Sequence, residues 1–111
     1  MIDWARVDEL VEEIGAEDFS EVVTLFLAEV ETAIELLEAS NGNPVVIEEQ
    51  MHFLKGAALN LGFRKLAQVC RTGERAASEG QVALVPVEEV RKVFASSRVR
   101  FEAELGDRYA A

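Results

Sequence analysis

The sequence predicts an all-α fold: an up-and-down antiparallel four-helix bundle with an additional short N-terminal helix. Three observations carry this. Apolar residues recur at helical spacing throughout, with no sustained alternation of strand type. The only two prolines, Pro44 and Pro86, each open an apolar-periodic stretch. A first-turn proline belongs there, because its missing N–H would have no partner in the helix anyway. The links between periodic stretches are short, and short links between long helices favour antiparallel neighbours.

Five helices follow in order. The first runs from about Asp3 to Ile14, with Trp4, Val7, Leu10, Val11 and Ile14 on one side and Gly15 as its stop. The second spans about Glu17 to Ala39, with Phe19, Val22, Val23, Phe26, Val30, Ala33 and Leu37 as its stripe. "SNGNP" breaks the chain, Asn41 and Gly42 forming the turn and Asn43 serving as N-cap before Pro44. The third helix extends from Pro44 to about Leu61 and ends at Gly62. The fourth, from about Arg64 to Ser78, aligns Leu66, Val69, Cys70, Gly73 and Ala77, and Gly80 closes it. The last starts near Pro86, carries Val90, Val93, Phe94, Ser97, Phe101 and Leu105, and stops at Gly106. Helices two to five make the staves, and the first covers one end. Gly73 lies inside an apolar stripe, which points to close approach by a neighbouring helix.

The 111 residues, half of them apolar, suit one domain spanning 1–111 with a single core. No apolar run approaches the ~20 residues that span a bilayer. The acidic amphipathic start resembles neither a secretory signal nor a transit peptide. One cysteine, Cys70, precludes an internal disulfide and suits a reducing cytoplasm. A net charge of −10 opposes binding to phosphate backbones and anionic lipid, so neither nucleic acid nor membrane is an expected partner.

His52 is the only histidine. At roughly 100° per residue, Ile47, Met51, Leu54, Ala58 and Leu61 define the core direction of the third helix, and Val46, Phe53 and Ala57 widen that arc on one flank. His52 falls roughly 140° from the core centre and faces water. Gly56 lies one turn along the same face, Glu48 one turn back, and Lys55 on the nearer shoulder; Val45 and Leu59 are outward apolar residues. A mid-helix glycine costs ~1 kcal/mol relative to alanine, and an outward position offers no packing to offset it. Gly56 therefore reads as clearance beside the imidazole, Lys55 as a cation for an anion held there, and the exposed apolar residues as a docking surface. Together these describe a histidine phosphorylated by another protein.

"HFLKGAALNLGF" resembles the signature of histidine-containing phosphotransfer domains: a histidine, an apolar pair, lysine, glycine, a small residue, and a second glycine at the helix end. Here these are His52, Phe53 and Leu54, Lys55, Gly56, Ala57 and Gly62. "GFRKLAQVCRTGE", "FSEVVTLFLAE" and the order of helices extend the resemblance over most of the chain. It implies a cytoplasmic, monomeric phosphocarrier, not an enzyme, working with the receiver domains of response regulators or with a hybrid histidine kinase. His52 would be the phospho-acceptor, Lys55 its electrostatic support and Gly56 the clearance, with Val45, Glu48, Glu49, Leu59 and Arg71 meeting the partner. No cofactor or metal is expected on this chain; Mg²⁺ would come with the receiver. Many relatives aim a glutamine or arginine of the fourth helix at the ring, about where Glu74 and Ser78 stand here. A carboxylate pointed at a phosphoryl group would repel it, so no supporting role is expected of Glu74; Arg71 and Arg75 lie outward on that helix.

The chemistry suits the residue. Free imidazole titrates at ~6.5, so an exposed histidine is largely the neutral nucleophile at pH 7, with Nε2 as the attacking atom. Phosphoryl transfer passes through a loose transition state in which catalysis is mostly positioning and electrostatics. A kinase dimerisation domain typically follows its histidine with an acidic residue, whereas Phe53 follows here. One histidine and one cysteine on different helices cannot make a His-rich metal site, and Cys70, in an apolar stripe, is a poor nucleophile. The remaining alternative is a helical adaptor that binds a signalling partner without transferring phosphate.

Overall fold

Local capping chemistry sets several helix boundaries. In the computed structural model, which describes residues 2–109, α1 spans Trp4–Ile14, α2 Ala16–Glu38, α3 Pro44–Leu61, α4 Arg64–Ser78 and α5 Val87–Tyr109. Asp3 caps α1, its side chain accepting from the Arg6 N–H. Asn43 caps α3, with Oδ1 accepting from the N–H groups of Val45 at 3.1 Å and Val46 at 3.4 Å, and Pro44 takes the first turn. Gly62 ends α3 in the left-handed conformation, φ 77°. The link between α4 and α5 contains a 3₁₀ turn, Val82–Leu84, that the periodicity did not anticipate.

Two expectations need correction. Gly106 does not stop the last helix, because α5 continues to Tyr109. A glycine ends a helix by turning left-handed, and Gly106 is not among the positive-φ residues. Beyond it, Arg108 lies 5.0 Å over the Trp4 ring and 3.2 Å from Asp8, tying the last turn to α1. The stripe of α2 is also rotated from the expected phase: Leu27 and Ile34 are buried, whereas Val22 and Phe26 are only partly covered.

Each of α2 to α5 packs on two neighbours, in the cyclic order α2, α3, α4, α5 and back to α2. Their buried stripes merge into one apolar core. α1 packs on α2 and α3 and closes one end. There Trp4 stacks on Phe101 at 5.7 Å, and Phe63 meets Phe101 edge-on at 5.3 Å. Asp3 N–H donates to the Gly62 carbonyl at 2.7 Å, and a Cβ on Gly62 would lie 2.6 Å from the Asp3 carbonyl oxygen. The family-type second glycine thus serves both the left-handed turn and the docking of the N-terminus. At the other end, Arg91 of α5 grips Glu38 of α2 through two bonds at 2.7 and 3.0 Å and reaches Glu31 at 2.6 Å. The guanidinium holds the Glu38 carboxyl below the ordinary carboxylate range. Among the described residues no helix is long and apolar enough to cross a membrane.

The most extensive pairing joins α3 and α4. Small residues make it possible: Ala57 and Ala58 on α3 and Ala67, Cys70, Gly73 and Ala77 on α4 are all buried. Gly73 is packed directly against α3. A Cβ there would lie 2.7 Å from Cε and 2.8 Å from Sδ of Met51, which is fully buried. Gly73→Val should therefore destabilise the bundle by about 1–3 kcal/mol, as overpacking does. Chemical denaturation checks this, and an unchanged midpoint would mean that Met51 has room to retreat.

Candidate functional site

Met51 and Leu54 are fully buried on α3, and His52, about 100° round from Met51 on the side away from Leu54, is turned outward, with its side chain 72 % exposed. The ring is nevertheless held. Its Nδ1 lies 2.6 Å from Oε2 of Glu74 on α4. A carboxylate only accepts, so Nδ1 carries the hydrogen and donates, and in the neutral form of the ring the lone pair is then on Nε2. The nitrogen expected to act as nucleophile is therefore the one left without a protein partner among the described residues.

This corrects the expectation for Glu74. Its carboxylate is aimed at the ring, on Nδ1, away from the nitrogen expected to react. Its other oxygen accepts from Lys55 Nζ at 2.5 Å. The Lys55 ammonium holds the Glu74 carboxyl below the ordinary carboxylate value, with burial opposing and His52 adding to the effect. One carboxylate thus orients the imidazole while a cation offsets its charge. Sequence reasoning placed Glu74 near the ring but judged it by charge alone. The signal that it had a partner was Lys55, three residues after His52 and therefore on the flank of α3 that meets α4.

Gly56 is exposed, and a Cβ built on it would meet nothing within 4 Å. The space beside the imidazole is open. Val45, Glu48, Glu49 and Leu59 are exposed along the same helix, and Arg71 is exposed on α4. Cys70, by contrast, is fully buried, and burial with the nearby Glu74 charge pushes its thiol up to about 12, which suits a core residue and not a nucleophile.

The structure adds a feature that the periodicity obscured. Phe53, expected at the edge of the core arc, is 41 % exposed. It lines a groove between α2 and α3 with Leu25, Ala28, Thr32 and Leu36 of α2. Leu25 and Leu36 are themselves exposed. Their spacing on α2, with Ala28 and Thr32 between them at helical intervals, marks a second apolar stripe on the side away from the core. His52 leans toward α4 and Phe53 toward α2, with Gly56 one turn from both.

A comparison with protein families matches residues 21–106 to the Hpt domain, so the match covers most of the bundle and leaves α1 outside. Neither a comparison with curated proteins nor one with solved structures finds a match. The matched span contains the exposed His52, its Glu74 partner and all four staves from within α2 onward. The chain belongs to the Hpt domain family, phosphocarriers that act in two-component signalling alongside receiver domains and histidine kinases.

Proposed function

We propose that His52 accepts a phosphoryl group on Nε2 from the aspartyl phosphate of a receiver domain and passes it to the aspartate of another. The observation that supports this most is the Glu74 contact on Nδ1 of an exposed ring, which favours the neutral tautomer whose lone pair is on Nε2. In the forward step the Nε2–P bond forms as the acyl O–P bond breaks, and the receiver's carboxylate leaves. The phosphorylated ring keeps its Nδ1 hydrogen, so no proton has to move, and the Glu74 carboxylate lies against the positive ring. The return step reverses these bonds. The receiver supplies the aspartate and Mg²⁺; this chain supplies the nucleophile and its orientation.

Lys55 and Gly56 have supporting roles in this reading. With Lys55 on Glu74, the carboxylate meets an incoming phosphoryl group as half of an ion pair, not as a bare anion. Gly56 leaves the open space through which a receiver reaches the ring. Val45, Glu48, Glu49, Leu59 and Arg71 form the surrounding contact surface, and the Phe53 groove extends it toward α2. Hybrid histidine kinases, which carry receivers of their own, are donors of the same kind.

His52→Gln should abolish acid-labile labelling from a phosphorylated receiver while changing stability by no more than about 0.5 kcal/mol, as expected at an exposed site. Label persisting in that variant would refute the assignment; a wild type that binds receivers but never labels would be an adaptor instead.

At Gly56, alanine meets no neighbour and should raise stability by roughly 0.5–1 kcal/mol. Gly56→Gln should stay folded yet slow transfer. Melting curves and single-turnover rates on both variants check this, and wild-type transfer by Gly56→Gln would show that clearance is not the reason for glycine.

Glu74→Ala frees the ring and should slow transfer by about tenfold, the scale of a lost orienting contact. Glu74→Gln keeps an acceptor for Nδ1–H and should retain most of the rate. Because the Glu74 carboxyl is held below its ordinary value of 4.5, the orienting contact is present above that pH and is lost as pH falls through the lowered value. Nitrogen NMR of the ring reads the tautomer directly; a dominant Nε2–H form at neutral pH would contradict this role.

A further inference from the structure

Charge is distributed over the bundle very unevenly. α2 carries seven acidic residues and no basic one, whereas α4 carries Arg64, Lys65, Arg71 and Arg75 against the single acid Glu74. That acid is already shared by Lys55 and His52. α2 and α4 flank α3 on opposite sides, so His52 sits on the stave between the most acidic helix and the most basic one.

The state of the cations sharpens this asymmetry. On α5, Arg91, Arg98 and Arg100 each contact a carboxylate of this chain at 2.6–3.1 Å. On α4, Arg64 reaches Asp3 at 3.5 Å, but the cations around Glu74 are poorly paired. Arg71 has no ion-pair partner among the described residues, and Arg75, with its side chain 84 % exposed, reaches only Glu79 at 3.9 Å. Arg71 and Arg75, one unpaired and the other only weakly paired, thus flank Glu74 on the helix beside the phospho-acceptor, while Lys65 and Lys92, also without an ion-pair partner among the described residues, stand elsewhere on the surface. Across α3 the Phe53 groove is rimmed by an acid, Glu29. A fixed field of this kind steers association and selects orientation more than it adds affinity.

We infer that α4 and α2 form a polarised docking surface that fixes how a receiver lands on His52: a carboxylate-bearing side of the receiver meets Arg71 and Arg75, and its apolar and cationic side meets the groove at Phe53 and Glu29. The inference rests on the phosphocarrier reading and adds to it the charge pattern required of the partner. An opposite landing about the histidine would bring carboxylates to α2 and is disfavoured by like charge.

Single-turnover transfer from purified phosphorylated receiver domains of the same genome tests this, using the receiver that labels the wild type fastest. Arg71→Glu combined with Arg75→Glu should lower the second-order rate constant at low salt by on the order of tenfold or more. The deficit should shrink as ionic strength rises and screening shortens to a few ångströms, about 3 Å at 1 M. Arg98→Glu combined with Arg100→Glu changes net charge equally but on α5, and should have a much smaller effect. Equal slowing by the two pairs, or none by the α4 pair, would overturn the inference while leaving His52 as a phosphocarrier. A salt-independent deficit in the α4 pair would also overturn it, because a structural defect is not screened. Failure of every receiver to label the wild type would overturn the phosphocarrier reading and this inference with it.

Discussion

Met51 laid across Gly73 is the contact on which the rest of the structure depends. It lies within the most extensive helix pairing in the molecule, and any side chain on α4 at that point would require Met51 to move. Packed interiors transmit such constraints because they have the density of organic crystals. Met51 immediately precedes His52, and Gly73 immediately precedes Glu74. The apolar pair therefore sets the register of the polar pair beside it. The ring is held 2.6 Å from a carboxylate on another helix, and the packed pair keeps the two helices at a separation that the side chains can bridge.

The site resolves an electrostatic conflict in the same few residues. With His52 as the proposed phospho-acceptor, a carboxylate beside it is unfavourable if it faces Nε2 and useful if it faces Nδ1. Glu74 faces Nδ1, and Lys55 takes its second oxygen. The arrangement is partly solvated, so each contact on its own contributes modestly to stability. Its value is directional: it selects one tautomer of an exposed ring without burying it. Pre-organisation of this kind lets a residue remain open to a large partner and still present a defined lone pair.

The far end of the bundle serves a different purpose. Trp4, Phe63 and Phe101 seal the core where α3 turns into α4, and the Asp3 amide closes on the Gly62 carbonyl. This fixes the lower end of the α3–α4 hairpin, with His52 and Glu74 further along it. α1 lies outside the span matched to the family, yet it contributes the cap over that turn and the ring beneath Arg108.

The sequence by itself determined the helices, the Asn43 and Gly62 boundaries, the outward angle of His52 and the open space at Gly56. These follow from spacings within one or two turns and from the backbone preferences of single residues, so neighbours in the chain suffice to specify them. The close approach at Gly73 was legible for the same reason, as a glycine within an apolar stripe. Only the tertiary structure decided where Glu74 points, since its partner is 22 positions away on another helix and its charge alone suggested repulsion. The phase of α2 and the extension of α5 past Gly106 belong to the same class. A stripe with apolar residues on two sides does not say which side meets the core, and a glycine that stays helical is distinguished from one that turns only by what holds the residues beyond it. Local rules choose the conformation of a segment, but which face it buries and which distant group it meets depend on packing energies shared among all the helices.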